Sequence, residues 1–521
     1  MSEIPDKADK SARPILIAAN RTCVNIKPLG SGNYEYGSAS GGLVTALNAL
    51  KDSTKLLWYG NPGKNVPSAD LEKVEEEIRA KGAVPVWIDA HLMDLYYNKF
   101  SNGVLWPILH YHTDAMNVDD RAWDAYQKVN RQFAQKIAED VEDDDMVWIH
   151  DYHLMLVPQM LREEIGDKKK NIKIGFFLHT PFPSSYMFIR LPYAKTILEG
   201  LLNCDLIGFH TYDYVGHFLS SCSKILHMTT TPNGVQFVKD GVKKSVHVGA
   251  FPIGIDPEGL RKGMKSKEVI ERIQEYRSSY YKNKKVIISV DRLDYIKGLP
   301  HKLHAFDMFL QQYPEEVGKV VLVQVAVPSR EDVPEYNELK AQLNQLCGLI
   351  NSKYASPGYT PVEFMYRSVD KNTLLSLYGM SDICLVTSIR DGMNLVSYEY
   401  IACHEQTHGQ LVISEFAGAA HSLKGCITIN PWDASNCIDG IKKALEMDPE
   451  QKEKNWKKMF KYVSKYTSAY WGQTFAEELA RIGPGYSLPR NPELEPNVNA
   501  VNGHSPSMLD DDSEESAMGA M

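Results

Sequence analysis

The sequence predicts an α/β protein made of two doubly wound parallel sheets that face each other across a cleft. Short apolar runs alternate with amphipathic stretches along most of the chain, which is typical of parallel strands joined by helices. These runs form two series, separated by a break at residues 251–256 that contains proline and glycine. A chain of 521 residues is also too long for one ordinary hydrophobic core. Two domains, each with its own sheet, are therefore expected.

The apolar runs predict the strands and the domain boundaries. The first series comprises residues 15–19, 55–59, 84–88, 146–150, 172–179 and 206–209. The second comprises residues 285–290, 320–327, 362–365, 383–387 and 410–414. The spacing of Trp471, Phe475, Leu479 and Ile482 predicts one face of a final helix. We therefore predict a disordered N-terminus (1–13), an N-terminal domain (14–253), a C-terminal domain (254–470), a C-terminal helix (471–486) and a disordered acidic tail (487–521).

The composition is that of a soluble globular protein and argues against two classes of partner. Hydrophobic residues make up 43% of the chain and charged residues 24%, and no apolar run approaches the roughly 20 residues that span a bilayer. The net charge of −9 gives nucleic acid no electrostatic reason to bind. The eight cysteines include no CxxC pair, and the N-terminus has no apolar signal core. We therefore expect free thiols in a reducing cytosol.

The loop over residues 391–399 is the most informative part of the chain. Ligands of open parallel sheets bind beyond the carboxyl ends of the strands, and this loop follows the run 383–387. A helix predicted over 398–402 would place Glu399 near its start. Free N–H groups and the helix dipole attract an anion there, and a carboxylate accepts hydrogen bonds from sugar hydroxyls. The loop therefore predicts a nucleotide-sugar site.

Two cations follow the first run of the second series. Arg292 and Lys297 lie five residues apart in the sequence, and together they could clamp a diphosphate, arginine as a fork and lysine as a point charge. A solvated loop with surface cations is the alternative. The pairing with residues 391–399 in the same domain favours the clamp.

A glycine-rich stretch follows the first run of the first series. Asn20 and Arg21 come directly after that run. The glycines that follow are Gly30, Gly32, Gly37, Gly41 and Gly42, and the last two lead into a helical run from Leu43. Glycines let the backbone approach a ligand closely, but the stretch lacks the Gly-Lys-Ser/Thr of an ordinary phosphate loop. A flexible surface loop is the alternative here.

Polar side chains also follow three further runs. Asp151 comes after 146–150 and His179 ends the run 172–179, where both could bind sugar hydroxyls. We expect His150 and His153 to be capping or core residues rather than catalytic ones. Arg330 comes three residues after the run 320–327, where a second anion could dock.

Residues 404–408 match the HExxH zinc pattern. That chemistry needs both histidines on one continuous helix, with a third ligand. Gly409 follows at once and the next apolar run begins, so the helix is ending. We predict no metal site.

Five motifs occur together: residues 96–107, 150–154, 179–183, 291–298 and 391–399. Together they resemble the trehalose-6-phosphate synthase family of the fungal type, over about residues 14 to 482. The family has the GT-B fold and transfers glucose from UDP-glucose to glucose 6-phosphate with retention. The expected products are α,α-trehalose 6-phosphate and UDP, in the first step of trehalose biosynthesis.

The resemblance implies a UDP-glucose site, chiefly on the C-terminal domain. The catalytic residues would be Arg292 and Lys297 on the diphosphate, with His179 and Asp391 on the donor glucose. Glu399 would hold the ribose, and Val369 would lie near the uracil. The donor-binding residues that it implies are Gly41, Gly42, His179, Arg292, Lys297, Val369, Asp391, Gly392, Met393, Asn394, Leu395, Val396 and Glu399.

The resemblance also implies a glucose 6-phosphate site on the N-terminal domain. Its residues would be Arg21, Tyr97, Trp106 and Asp151, with Arg330 reaching across to the phosphate. The family commonly has tryptophan where this chain has Asn61. If that ring packs near the acceptor, acceptor affinity differs here. No metal or cofactor is implied.

We expect a front-face reaction, because the motifs offer no obvious carboxylate nucleophile for double displacement. One alternative is a sugar-nucleotide transferase with another phosphorylated acceptor. The other is a non-catalytic regulatory subunit of a trehalose-synthesising complex, which predicts an eroded site. By resemblance, the protein is cytoplasmic and serves the stress response. Its expected partners are a second copy of itself and a trehalose-phosphate phosphatase or regulatory subunit.

Overall fold

The computed structural model describes residues 13–494 except 31, 40, 51–53, 65, 240, 331, 332 and 484. Within this range the chain forms two sheets, each flanked by helices. The predicted disordered N-terminus lies outside the described residues apart from Arg13. The predicted domain boundaries stay predictions.

The first sheet has nine strands in the order β5-β4-β1-β6-β7-β8-β11-β10-β9. The strands from β5 to β11 are parallel, and β10 and β9 are added antiparallel at one edge. A separate two-stranded antiparallel sheet is formed by β2 and β3. The strands are β1 Ile15–Arg21, β2 Val24–Gly30, β3 Asn33–Ser38, β4 Leu56–Asn61, β5 Ala83–Pro85, β6 Met146–His150, β7 Lys173–Phe177, β8 Leu206–Phe209, β9 Thr229–Thr231, β10 Gly234–Lys239 and β11 Val242–Ala250.

The second sheet has six parallel strands in the order β14-β13-β12-β15-β16-β17. Most of its residues are buried, because helices cover both faces, and this is why they read as continuous apolar runs. The strands are β12 Lys285–Arg292, β13 Val320–Val327, β14 Val362–Tyr366, β15 Ile383–Val386, β16 Gln410–Ser414 and β17 Ile427–Ile429.

The α-helices connect the strands and pack on the two sheets. None of them, over the residues described, is both long and apolar enough to cross a membrane. They are α1 Gly42–Asn48, α2 Leu71–Ala80, α3 Ala90–Met93, α4 Trp106–Leu109, α5 Asp120–Asp140, α6 Val157–Ile165, α7 Ser185–Phe188, α8 Ala194–Leu201, α9 Tyr212–Leu226, α10 Pro257–Met264, α11 Lys267–Glu275, α12 Leu299–Gln312, α13 Pro334–Tyr354, α14 Lys371–Met380, α15 Leu395–Ala402, α16 Ala434–Glu446, α17 Pro449–Lys465 and α18 Ser468–Arg481.

Strand order places the site. In each sheet the first strand lies inside, and the chain builds outward first on one side and then on the other. The direction changes between β1 and β6 and between β12 and β15. A crevice opens at such a switch point, beyond the carboxyl ends of the strands. The residues that follow β1, β6, β12 and β15 therefore lie beside these crevices.

The first part of the glycine-rich stretch, residues 24–38, forms a β-hairpin, β2–β3, where the sequence suggested a loop. Gly30 and Gly32 turn the chain with φ of +91° and +72°, a region that favours glycine. Tyr34 and Tyr36 then pack against the core of the first half, which is the part of the molecule built on the nine-stranded sheet. Tyr34 and Tyr36 lie two residues apart, which is the spacing of side chains on one face of a strand. The neighbouring glycines are typical of a loop and obscured this signal. Strands β9, β10, β11 and β17 were also missed.

The final helix, α18, follows the second sheet in sequence but packs on the first. Trp471, Phe475 and Leu479 join the core around β1, β4 and β7. Phe475 stacks on Trp148 with ring centroids 4.4 Å apart. Glycines on two strands make room for it, because a Cβ on Gly175 would lie 2.7 Å from the Phe475 ring and one on Gly208 would lie 2.8 Å from it. The helix ends at Arg481 rather than at the predicted residue 486.

Phe475→Ala is expected to lower the free energy of unfolding by about 3–5 kcal/mol, because it leaves a cavity between helix and sheet. Urea unfolding followed by tryptophan fluorescence measures the change. Glu477→Ala, on the exposed face of the same helix, is the matched control and should stay near wild type. Equal losses in both variants would contradict the packing described.

The start of the predicted acidic tail is ordered on the first half of the molecule. Leu488 is only 4% exposed and joins the same core as Phe475. Asn233 donates a hydrogen bond to the Leu488 carbonyl at 2.7 Å, and Lys465 pairs with Glu493 at 2.6 Å. Prediction of disorder from residue 487 is thus wrong as far as 494, because one apolar anchor and one ion pair fix the segment. Residues 495–521 lie outside the described residues.

Candidate active site

A cleft lies where the carboxyl ends of the two sheets meet, and it encloses about 520 Å³. This volume is within the range of small-molecule sites. The predicted site residues that line it are Gly42, Tyr97, Trp106, Asp151, His179, Arg292, Lys297, Arg330, Asp391, Gly392, Met393, Asn394, Leu395, Val396 and Glu399.

Lys297 and Asp391 form a buried ion pair within the cleft. Nζ of Lys297 is 2.6 Å from Oδ2 of Asp391. Asn394 donates to the same oxygen at 3.2 Å and Ser388 at 3.3 Å. Burial alone would raise the pKa of Asp391, but Lys297 and, to a lesser extent, the hydrogen bond from Asn394 together hold it below the ordinary value. Asp391 is therefore an anion that orients Lys297.

Helix α15 begins at Leu395, three residues earlier than predicted. The side chain of Asn394 caps it by accepting a hydrogen bond from the Ser397 N–H at 2.9 Å. The first amides of a helix have no partner within the helix, so those of Leu395 and Val396 are available to an anion in the cleft. Glu399 lies one turn further, where the Tyr378 hydroxyl donates to it at 3.0 Å. Burial raises the pKa of Glu399.

The two halves touch across the cleft at glycines. A Cβ on Gly392 would collide with the His179 carbonyl oxygen, and one on Gly42 would lie 3.2 Å from Leu395. His179 and Gly42 belong to the first half, whereas Gly392 and Leu395 belong to the second. Only a residue without a side chain allows the backbones at 392 and 179 to approach this closely.

Two guanidinium groups share one buried carboxylate. Asp294 is fully buried, and its Oδ2 lies 3.4 Å from Arg330 and 3.8 Å from Arg292. Arg330 lies over the Trp106 ring at 4.1 Å and Arg292 lies 5.3 Å from the same ring. Arg330 is 5% exposed, whereas Arg292 is 45% exposed. Two cations, one held rigidly and one open, therefore converge on the cleft.

Asp151 and Arg330 both have left-handed backbone conformations, with φ of +73° and +49°. Such residues are uncommon outside glycine and cluster at functional sites. The His179 N–H donates to Asp151 at 3.3 Å. Tyr97, from a π-helix over Asp94–Leu105, stacks on His153 at 5.6 Å. Burial raises the pKa of Asp151 to about 6.

If Asp151 binds the acceptor, as the resemblance implies, its pKa predicts a pH dependence of that binding. A raised pKa means that the accepting carboxylate is present above about pH 6 and is lost as the pH falls through that value. We expect affinity for the acceptor analogue glucose 6-sulfate to fall below about pH 6. A sulfate keeps its charge there, so it removes the titration of the substrate phosphate. Asp151→Asn should bind more weakly with a flat profile; a wild-type profile in that variant would contradict the assignment.

His179 lines the cleft, and the rings of His150 and His210 pack beside its ring. Nδ1 of His150 is 3.2 Å from Nε2 of His179. His210 forms a hydrogen bond to the His179 backbone. Burial lowers the pKa of His179 well below its ordinary value, so the ring is neutral.

Three predicted residues do not line the cleft. Val369 packs at the edge of the second core, and Gly41 precedes α1. The Arg21 guanidinium lies against Gly63, although its charge still lowers the pKa of His153 after the larger effects of burial and Arg330. Asn61 is buried and accepts from the Gly63 N–H at 2.7 Å, so it braces that turn.

The cleft also contains residues that sequence reasoning did not assign: His110, Tyr152, His153, Thr180 and Asp291. Nδ1 of His110 donates to the Trp106 carbonyl at 2.8 Å, and burial lowers its pKa to about 4. Its spacing of four from Trp106 was the available signal.

The HExxH stretch lies beyond the end of α15, as expected. The ring of His404 bonds Thr407 through Nδ1 at 2.6 Å and the Tyr378 carbonyl through Nε2 at 3.0 Å. Glu405 pairs with Arg261. The described residues contain no group of three or more potential metal ligands.

Comparisons with known proteins agree with this geometry. The model of glycosyltransferase family 20 matches residues 14–481. An alpha,alpha-trehalose-phosphate synthase (UDP-forming) of Candida albicans is 52% identical over 476 residues, which is 91% of this chain and 98% of that protein.

Two solved structures are similar throughout. An alpha,alpha-trehalose-phosphate synthase (UDP-forming) from Burkholderia xenovorans, in complex with glucose-6-phosphate, is 29% identical with a TM-score of 0.78 and covers 90% of this chain and 100% of its own. An E. coli structure described as bound with UDP-2-fluoro glucose is 33% identical with a TM-score of 0.77 and the same coverage. These likenesses confirm the GT-B fold that the sequence predicted. The chain belongs to glycosyltransferase family 20.

Proposed function

We propose that this protein is an α,α-trehalose-phosphate synthase that transfers glucose from UDP-glucose to glucose 6-phosphate. The observation that carries the proposal is the convergence of Arg292 and Arg330 on Asp294 and Trp106. Two anion-binding groups so close together suit two anionic substrates that react with each other. Each guanidinium then neutralises one of them.

The donor diphosphate lies on Arg292, Lys297 and the first amides of α15 in this proposal. The open Arg292 can turn to a ligand, whereas Lys297 is already oriented by Asp391. Glu399 accepts from the ribose, and His179 and Asp391 contact the glucose. Val369, which lies outside the cleft lining, reaches the uracil only from the cleft edge.

The acceptor lies against Trp106 and Tyr97, with its phosphate on Arg330 and a hydroxyl on Asp151. The indole N–H of Trp106 is buried and has no partner among the described residues, which leaves it available to the substrate. Arg21 lies outside the cleft lining at the acceptor end, where its positive charge favours the binding of a phosphate.

A front-face transfer fits the carboxylates of the cleft. Asp291 is engaged by Lys302, Asp391 by Lys297 and Glu399 by Tyr378. The fourth carboxylate of the cleft, Asp151, accepts from the His179 N–H and is assigned to the acceptor in this proposal, so no carboxylate is left to act as a nucleophile beneath the donor ring. The acceptor oxygen bonds to the anomeric carbon on the side from which the diphosphate departs. The leaving phosphate oxygen takes the acceptor proton. The cations stabilise the charge that develops on the diphosphate.

The test is release of UDP by the purified chain from UDP-glucose and glucose 6-phosphate. The expected product is a phosphorylated disaccharide that a phosphatase converts to non-reducing trehalose. UDP release that does not depend on glucose 6-phosphate, or faster reaction with another phosphorylated acceptor, would overturn the assignment. No release at all would favour a non-catalytic subunit. We place the reaction in the cytoplasm; a homo-oligomer and a complex with a phosphatase or regulatory subunit stay predictions.

A further inference from the structure

His150 is a buried histidine that the proposed reaction does not use. It ends β6, is fully buried among Trp148, Trp471 and His179, and does not line the cleft. Its Nδ1 is 3.2 Å from Nε2 of His179. Its Nε2 has no partner in the part of the chain that the structure describes.

The two rings share their protons in one of two ways. Burial lowers the pKa of His150 to about 3 and that of His179 well below its ordinary value, so both rings are neutral and each carries one N–H. Either Nδ1–H of His150 donates to His179, or Nε2–H of His179 donates to His150. The second arrangement moves the proton of His150 to Nε2, where a buried N–H has no acceptor. Orphaned buried N–H groups are rarer than unsatisfied acceptors, so the first arrangement is favoured.

This arrangement sets the chemistry of His179. Its Nε2 accepts from His150, so its proton is on Nδ1. That nitrogen makes no hydrogen bond to the described residues and belongs to a ring that lines the cleft. The hydrogen bond at one imidazole nitrogen thus decides what the other offers to a ligand.

We propose that His150 is a positioning residue that fixes His179 as the Nδ1–H tautomer, so that His179 donates a hydrogen bond to a hydroxyl of the donor hexose. The inference rests on the proposed UDP-glucose site. The role of His150 concerns binding of the hexose and not binding of the nucleotide, because Arg292, Lys297 and α15 hold UDP without help from His150.

Two substitutions distinguish this role from packing. His150→Leu removes the donor, whereas His150→Asn places an amide N–H close to the position of Nδ1. Calorimetry with the full chain gives the dissociation constants of UDP and UDP-glucose. We expect His150→Leu to bind UDP as wild type does but to raise the ratio of the UDP-glucose constant to the UDP constant about tenfold. His150→Asn should restore most of that ratio.

The tautomer itself is read from the ring-nitrogen NMR signals of His179 in wild-type protein labelled on histidine. A proton on Nδ1 supports the proposal, and a proton on Nε2 overturns it, even if His150→Leu fails to fold. An unchanged ratio in His150→Leu, or an equal loss in His150→Asn with UDP binding intact, also overturns it. Failure of the proposed function is seen separately, as wild-type protein that does not bind UDP-glucose or does not release UDP.

Discussion

Arg292→Ala and Lys297→Ala are each expected to lower turnover at least ~100-fold, since the loss of one preorganised donor to developing charge costs about 2.7–4 kcal/mol of transition-state stabilisation. Both cations line the cleft, and Lys297 is held 2.6 Å from Asp391. The charge on the leaving diphosphate grows during the reaction, so the effect belongs mainly to kcat. Initial rates of UDP release at saturating substrates measure it.

The two variants differ in their structural side effects. Arg292 is 45% exposed, so its removal should leave the melting temperature unchanged. Lys297→Ala leaves Asp391 buried without its cation, which destabilises the fold, and Lys297→Arg controls for that loss. Arg190→Ala, at an exposed arginine on the first half, should be silent. Wild-type rates in Arg292→Ala would show that Arg292 does not stabilise the leaving diphosphate.

Arg330→Ala is expected to lower kcat/KM for glucose 6-phosphate ~10–150-fold, the equivalent of about 1.5–3 kcal/mol for a hydrogen bond to a charged group. Its guanidinium is held by Asp294, Tyr336 and Trp106. The rate with glucose itself, which has no phosphate, is expected to be slow and to change far less. The ratio of the two kcat/KM values is the measurement.

Loss of stability must be separated from loss of phosphate binding in this variant. Arg330→Ala leaves the buried Asp294 with the more distant Arg292, so a lower melting temperature is expected. Arg330→Ala combined with Asp294→Asn removes that unpaired charge. If the double variant regains stability but not the preference for phosphate, the binding role stands. Equal losses with both acceptors would contradict it.

Much of the fold was predictable because buried parallel strands have a strong signature. Strands with both faces covered must be apolar throughout, and the run 320–327 matches β13 in both bounds. β11 was missed because its first half, which contains Lys243 and Lys244, is exposed and lies before the part of the strand that pairs with β8. The hairpin β2–β3 was missed because its glycines read as loop.

The candidate site was predictable where chemistry follows a strand. Lys297 and Asp391 come from positions after β12 and β15, but only the fold shows that they pair. The role of Asp294 was hidden, since nothing in the sequence reveals that one carboxylate is buried between cations from two loops. The hydrogen bond between His150 and His179 joins neighbouring strand ends, and no local pattern records it.

Gly392 and the His179 carbonyl form a close backbone contact between the two halves of the enzyme. Any widening of the cleft must separate these two backbones, both when substrate enters and when product leaves. A methyl group at 392 would hold the two backbones apart, because it would collide with the His179 carbonyl oxygen. Such a variant should still bind a nucleotide on the second half, but the cleft should not close around both sugars.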